Sequence, residues 1–375
     1  MNKECMGIIN LNKRGNSINK LTHSRPVAAI PIGGRYRVID FALSNMVNAQ
    51  IQNIGIFAAD RYRSLIDHLD NGKHWDLNRK IDGLFIFSPE NKSIDNSYSI
   101  KSGDIYNIFS NIDYIEKSRQ KYVLISPSYM ICNINYKDIL EQHKKSNCDI
   151  TVVYKEVYNA HDDFLKCSTL NINEKGTVLS IGNNTGAKKD CNISMEMYVM
   201  SKDLFLNLIY ESISTGEYSS IDDLIAGNIN KFNVEGYKFS GYLKCINSIQ
   251  SYFEANNDFL KTNVSEELFY SDRKILTKVK DEPPTFYESN SNVENSFISN
   301  GCVIEGTVKN SILFRRVNVE KGAVIENSII MQNCIIKRDV RLDNVVFDKN
   351  VVISEGKELK GDKKMPIIVD KNARI

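Results

Sequence analysis

From residue 293 to residue 340 an aliphatic side chain recurs every five or six positions: Val293, Ile298, Val303, Val308, Leu313, Val319, Val324, Ile330, Ile335 and Val340. A longer unit lies over this one. The tetrapeptides NSFI, NSIL, NSII and NVVF begin at Asn295, Asn310, Asn327 and Asn344, with spacings of 15, 17 and 17 residues. A hexapeptide β-helix needs about three six-residue strands per coil, each with an aliphatic side chain turned inward, and both periods fit it. An antiparallel β domain with tight turns is the alternative, and the agreement of two nested periods favours the β-helix. Such a coil ends in short open edges, which suit subunit contact.

The N-terminal part has a different grammar. Apolar runs at 6–9, 54–58, 84–87, 122–125 and 150–153 read as strands, and amphipathic stretches at 36–47 and 105–117 read as helices. Strand alternating with helix predicts βαβ units and a doubly wound, mostly parallel α/β sheet. Ligands in such sheets bind beyond the carboxyl ends of the strands, here the loops after Ile9, Ile125 and Val153. The run KDEPPTFY, residues 280–287, reads as a linker, since its two prolines stop a helix. The expected organisation is a first domain over 1–260, a linker over 261–290 and a β-helix over 291–375.

A chain of 375 residues exceeds one compact core and agrees with two domains. The formal net charge of +2 gives no case for nucleic acid or an anionic membrane as partner. No run approaches the roughly 20 apolar residues of a membrane span, and the first 13 residues hold too short an apolar run for a signal peptide. The eight cysteines form no CxxC pair, so neither a zinc site nor a disulfide framework is expected. A cytoplasmic protein with reduced thiols is the reading.

Residues 31–45, PIGGRYRVIDFALSN, carry a more specific signal. With the segments WDLNR at 75–79, SMEMYV at 194–199 and GY at 241–242 leading to YFEAN at 252–256, they resemble ADP-glucose pyrophosphorylase (glucose-1-phosphate adenylyltransferase) over nearly the whole chain. The resemblance implies a nucleotidyltransferase-like domain followed by a left-handed β-helix. The family joins ATP and glucose 1-phosphate to form ADP-glucose and pyrophosphate, with Mg²⁺ on the phosphates. Such transfer needs positioning, phosphate neutralisation and a metal ion.

Against that family this chain departs at each chemical part. The phosphate loop should carry glycines and an Arg, through which backbone N–H groups and charge meet the triphosphate. Aligned on Leu21-Thr22, the chain has Asn12 and Lys13 at two glycine positions, retains Gly15, and has Ser17 for the Arg and Lys20 for the Pro. Val27 stands at a family lysine. The family's Gly-Asp at a strand end, whose carboxylate holds Mg²⁺, maps near Ser128, and no Asp or Glu occurs between Glu116 and Asp138. A second family carboxylate maps to Cys245. Hydroxyl and thiol groups do not replace hard carboxylate ligands for Mg²⁺ at neutral pH. Asn183 and Asn184 fall where a Glu-Lys pair should hold sugar and phosphate, while Ser194 is retained.

The resemblance therefore points to the GlgD-type subunit, taken in the family as the regulatory, weakly active or inactive partner of a catalytic GlgC-type paralogue in a heterotetramer. It implies a degenerate pocket at Gly15, Ser17, Asn183, Asn184 and Ser194, no catalytic residues, and no bound metal. It also implies an anionic sugar-phosphate or nucleotide effector, for which Arg35, Arg37, Arg315 and Arg316 are the candidate contacts. Arg forks suit phosphate in bidentate geometry. The alternatives are an active transferase with substitute carboxylates such as Asp60 or Asp104, a stand-alone sensor, and a hexapeptide acyltransferase. The last normally needs a histidine base near the coils, and the histidines at 23, 68, 74, 143 and 161 all lie before the β-helix.

Overall fold

The computed structural model describes residues 4–11, 18–58, 61–88 and 103–375. The chain forms two compact units, Met1–Lys13 with Phe41–Cys245 and Arg273–Leu276, and Arg14–Asp40 with Ile246–Asp272 and Thr277–Ile375. Neither unit is a continuous stretch, so the division differs from a single cut near 260.

The first unit is built on a nine-stranded sheet. Its strands are β1 Cys5–Asn10, β2 Asn53–Phe57, β3 Gly83–Phe87, β4 Tyr122–Pro127, β5 Ile150–Val157, β6 Ser168–Ile172, β7 Val178–Asn183, β8 Cys191–Ser201 and β9 Val234–Lys238. β1 pairs in parallel with β2 and β4, β2 with β3, and β5 with β9. β8 runs antiparallel to β4, β5 and β6. All five apolar runs lie in strands save for Ala58, just past β2, and the buried residues of β1, Cys5–Ile9, match a strand covered on both faces. The expected helix at 105–117 is two short helices, Asp104–Phe109 and Ile112–Glu116. Caps set the longer helices: the Ser201 side chain accepts from Leu204 N, and Gly216 closes Lys202–Thr215 at φ 69°.

The second unit contains the β-helix. It has three parallel sheets of five two- or three-residue strands each. The first face comprises Phe286–Tyr287, Val303–Ile304, Asn318–Val319, Ile335–Ile336 and Val352–Ile353. The second starts at Asn292–Glu294 and the third at Phe297–Ile298. The longer sequence unit is one coil. Asn295, Asn310, Asn327 and Asn344 occupy one corner with φ between 43° and 51°, a left-handed conformation that Asn tolerates better than most residues. The serine after each of the first three Asn residues builds a rung: Ser311 N donates to Ser296 Oγ at 3.1 Å and Ser328 N to Ser311 Oγ at 3.0 Å.

Two sequence expectations need correction here. Val303, Val324 and Ile335 are not the inward residues, because their neighbours Ile304, Ile325 and Ile336 are fully buried instead. The aliphatic spacing had followed the strands without fixing which of two adjacent apolar residues turns in. Phe286–Tyr287 is already the first β-helical strand, so the coil begins inside the expected linker.

The Gly-Gly motif and the helix Ile249–Phe259 meet in this second unit. Pro31–Ile32 and Tyr36–Arg37 pair antiparallel around Gly33 and Gly34, with φ 59° and 81°. Tyr252 OH donates to Pro31 O at 2.8 Å, and Asn256 Oδ1 accepts from Gly33 N at 3.0 Å. A Cβ on Gly34 would lie 2.8 Å from Ser299 Oγ, so the glycine permits contact with the first coil. The two family motifs thus hold one another. Seven of the eight cysteines are buried, and Cys191 is partly exposed. Among the described residues no helix is long and apolar enough to cross a membrane.

Candidate functional site

Ser128 and Cys245 are the positions at which the resemblance places metal carboxylates, and a short ladder in the first unit holds Cys245. Met130–Ile131 pairs antiparallel with Lys244–Cys245, placing Cys245 opposite Met130, two residues beyond Ser128. Ser128 and Cys245 are each 2% exposed. Lys244 Nζ lies 3.3 Å from Asp163 Oδ1, so the carboxylate from the loop after β5 faces a lysine. Among the described residues no group of three or more His, Cys, Asp and Glu is arranged to hold a metal ion. A buried hydroxyl and a buried thiol do not fit Mg²⁺, which demands hard oxygen ligands. Asp104 is buried at the start of its short helix, and Asp60 lies outside the described residues. Gly15 and Ser17 also lie outside them.

Asn183 and Asn184 line one polar groove of about 570 Å³ with Thr169, Asn171 and Lys188. Asn183 is exposed, but Asn184 is a loop clamp. Its Nδ2 donates to Ala160 O at 2.7 Å and Phe164 O at 3.0 Å, and its Oδ1 accepts from Gly186 N at 2.9 Å. Ser194 is fully buried, and its Oγ accepts from Glu196 N at 3.1 Å across an irregularity in β8. Glu196 was not singled out by sequence reasoning. It adopts φ 54°, is 6% exposed, and accepts a hydrogen bond from Tyr129 OH. Its signal was the only charged residue of its strand, set between Met195 and Met197.

In the second unit Arg35 and Arg315 line one cavity of about 690 Å³ with Lys280, Tyr36, Phe269 and Tyr287. No carboxylate is among its lining residues. Tyr36 stacks on Phe269 with centroids 5.0 Å apart and planes 14° apart, and the Arg35 guanidinium lies 5.5 Å from the Tyr36 ring centre. Burial lowers the Lys280 pKa, and Arg315 and Arg37 lower it further. Burial also lowers the Arg315 pKa, and Arg35 adds to this. Glu282 opposes the depression of both, and Asp40 that of Arg315, although neither carboxylate is among the residues that line the cavity. Arg316 is not part of it: its Nε binds Glu282 Oε2 at 2.7 Å. Arg37 is absent from the lining and belongs with a further cationic group around Lys349. Lys280 was hidden in the sequence because it sits in what reads as a linker.

Lys349 is pushed down to about 7, first by burial and then by Arg37 and Arg25, with Asp348 opposing. An unfolded lysine releases its proton near pH 10.4, so between about 7 and 10.4 the unfolded chain binds more protons. Stability is therefore lowest below about pH 7 and rises with pH through that window. Lys349→Met should flatten the rise and stabilise the protein at pH 6 by about 1 kcal/mol or more, measured by thermal melts from about pH 6 to 10.

Comparison with known proteins agrees with this architecture. Residues 14–262 match the nucleotidyl transferase family, and residues 283–365 match the GlmU-like C-terminal hexapeptide family. The chain is 37% identical to glycogen biosynthesis protein GlgD of Bacillus subtilis over 99% of this chain and 96% of that protein. It is 40% identical to GlgD of Geobacillus stearothermophilus over 99% of this chain and 97% of that protein. It is 30% identical to glucose-1-phosphate adenylyltransferase of Mycoplasma mobile over 86% of this chain and 85% of that protein. With a nucleotidyl transferase match over more than half its length and full-length similarity to GlgD proteins, the chain belongs to the glucose-1-phosphate adenylyltransferase family, as a GlgD-type member.

Proposed function

We propose that this chain serves glycogen biosynthesis as a regulatory, catalytically impaired subunit of glucose-1-phosphate adenylyltransferase, paired with a catalytic GlgC-type paralogue in a heterotetramer in the cytoplasm. The observation that carries this reading is the pair of metal positions. Cys245 lies on a short ladder opposite Met130, two residues beyond Ser128, and neither Ser128 nor Cys245 is a carboxylate. Without Mg²⁺ the triphosphate charge has no counter-ion at the reacting centre. What the chain keeps is the cavity of Arg35, Lys280 and Arg315, which suits a sugar phosphate or a nucleotide as effector.

Mixing the chain with a GlgC-type paralogue tests this. The expected result is one complex on sizing, with a response to sugar phosphate or inorganic phosphate that differs from the paralogue alone. Arg35→Ala and Arg315→Ala in this chain should each weaken that response about 10- to 100-fold, the worth of one charge-assisted hydrogen bond. No complex, or an identical response with and without this chain, would overturn the reading.

A further inference from the structure

The pairing of β8 with β5 breaks between Ser194 and Tyr198. Glu196 sits in that break with φ 54°, a left-handed conformation that is unfavourable for a residue with a Cβ. Met195 and Met197 beside it are buried, as suits an apolar strand. Glu196 is buried as well, which is costly for a carboxylate unless donors surround it. Tyr129 OH donates to its Oε2, and Ser168 Oγ lies 3.5 Å from its Oε1. Ser194 Oγ accepts from its backbone N at 3.1 Å. Tyr129, Ser168 and Ser194 are themselves buried. Backbone strain and a buried charge fall on one residue, and strain of this kind gathers at functional positions.

Asn183 stands directly opposite Ser168 in the β6–β7 ladder, so the two side chains leave the same face of the hairpin. The Glu196 carboxylate therefore reaches the neighbour of Asn183, while Ser194 holds its backbone. Asn183 and Ser194 are positions at which the family resemblance sets the sugar. We propose that Glu196 is a specificity-determining residue that shuts sugar phosphates out of this pocket. Two effects act together. The carboxylate takes up the Tyr129 and Ser168 hydroxyls, which a sugar would otherwise meet. Its negative charge also opposes the approach of a phosphate dianion, most strongly where water is excluded.

The surroundings agree. Burial raises the Tyr198 pKa well above its usual value, and Asp222 and Glu196 raise it further, the mark of a negative local field. Asn184, next to Asn183, is neutral and has its amide bound to backbone groups, so it supplies no charge against that field. If Glu196 only braced the break in β8, replacing it would change stability and leave binding alone. The proposal goes beyond the regulatory reading, because it concerns ligand exclusion by the chain itself. It rests on the pocket at Asn183 and Ser194, and not on a partner or on the cavity of Arg35.

Isothermal titration of the full chain with glucose 1-phosphate tests it, on an Arg35→Ala background that weakens the cationic cavity of the second unit. The chain with Glu196 intact should bind no tighter than about 10 mM. Glu196→Gly, which removes the carboxylate and relieves the left-handed backbone, should bring the Kd to about 1 mM or below, a gain of about tenfold or more. Glu196→Gln removes the charge at nearly constant size and should give a smaller gain. Adding Asn183→Ala to Glu196→Gly should reverse the gain about fivefold, which locates the ligand in this pocket. Thermal melts by circular dichroism report folding, and Glu196→Gln decides alone if Glu196→Gly does not fold. Binding with Glu196 intact that is as tight as in the variants overturns the proposal. So does a folded variant set with no gain, or a gain that Asn183→Ala leaves unchanged.

Discussion

Asp348→Ala should destabilise the second unit by about 3–5 kcal/mol, the usual effect of removing one partner of a buried ion pair. Arg25 and Asp348 are 4% and 3% exposed and bind one another directly. Arg25 Nε also donates to Leu21 O at 2.9 Å, and Asp348 Oδ1 accepts from Lys349 N at 2.7 Å. The pair joins the segment before the Gly-Gly motif to the fourth coil of the β-helix. Asp348 is also the carboxylate that opposes the depression of Lys349. Its removal leaves Arg25 buried without its ion-pair partner and takes away the carboxylate that opposes the depression of Lys349. Replacing both partners by apolar residues, Arg25→Met with Asp348→Leu, should do less damage than the single change, because no orphan charge remains. Urea denaturation measures both, and a loss below about 1 kcal/mol for Asp348→Ala would refute the pair as a structural clamp.

The isolated chain should form ADP-glucose at least about 10³-fold more slowly than the 1–10³ s⁻¹ usual for enzymes. The expectation rests on chemistry that the first unit lacks. Where the resemblance leads one to expect two carboxylates, the chain has the Ser128 hydroxyl just before the ladder and the Cys245 thiol on it, both buried. The nearby Asp163 already faces Lys244. Pyrophosphate release with and without Mg²⁺ provides the measurement. Metal-dependent turnover at ordinary enzyme rates by the purified chain alone would defeat the impaired reading, whatever the partner does.

Much of the fold was legible in local pattern. The apolar runs became strands because a doubly covered sheet demands continuous hydrophobic segments. The Asn-Ser period marked the β-helix because one coil reuses one corner conformation and one serine rung. The antiparallel course of β8 was not legible, since β pairing direction is decided between strands and not within one. The inward residue of each coil was equally hidden where two aliphatics stand side by side, as at Val303-Ile304 and Ile335-Ile336.

The candidate site divides in the same way. That neither Ser128 nor Cys245 is a carboxylate is a matter of residue identity, so the sequence alone determined it, as it did the coil period and the βαβ grammar. Which cations act together was left to the tertiary structure. Arg315 and Arg316 are adjacent in the chain, yet one lines the cavity with Arg35 and Lys280 while the other pairs with Glu282. Asn184, a sugar contact by sequence position, has its amide committed to four backbone groups. Side-chain chemistry is written in the sequence one residue at a time. Electrostatic and hydrogen-bonding partners are set by distances of a few ångströms between residues far apart in the chain, and only folding establishes those distances.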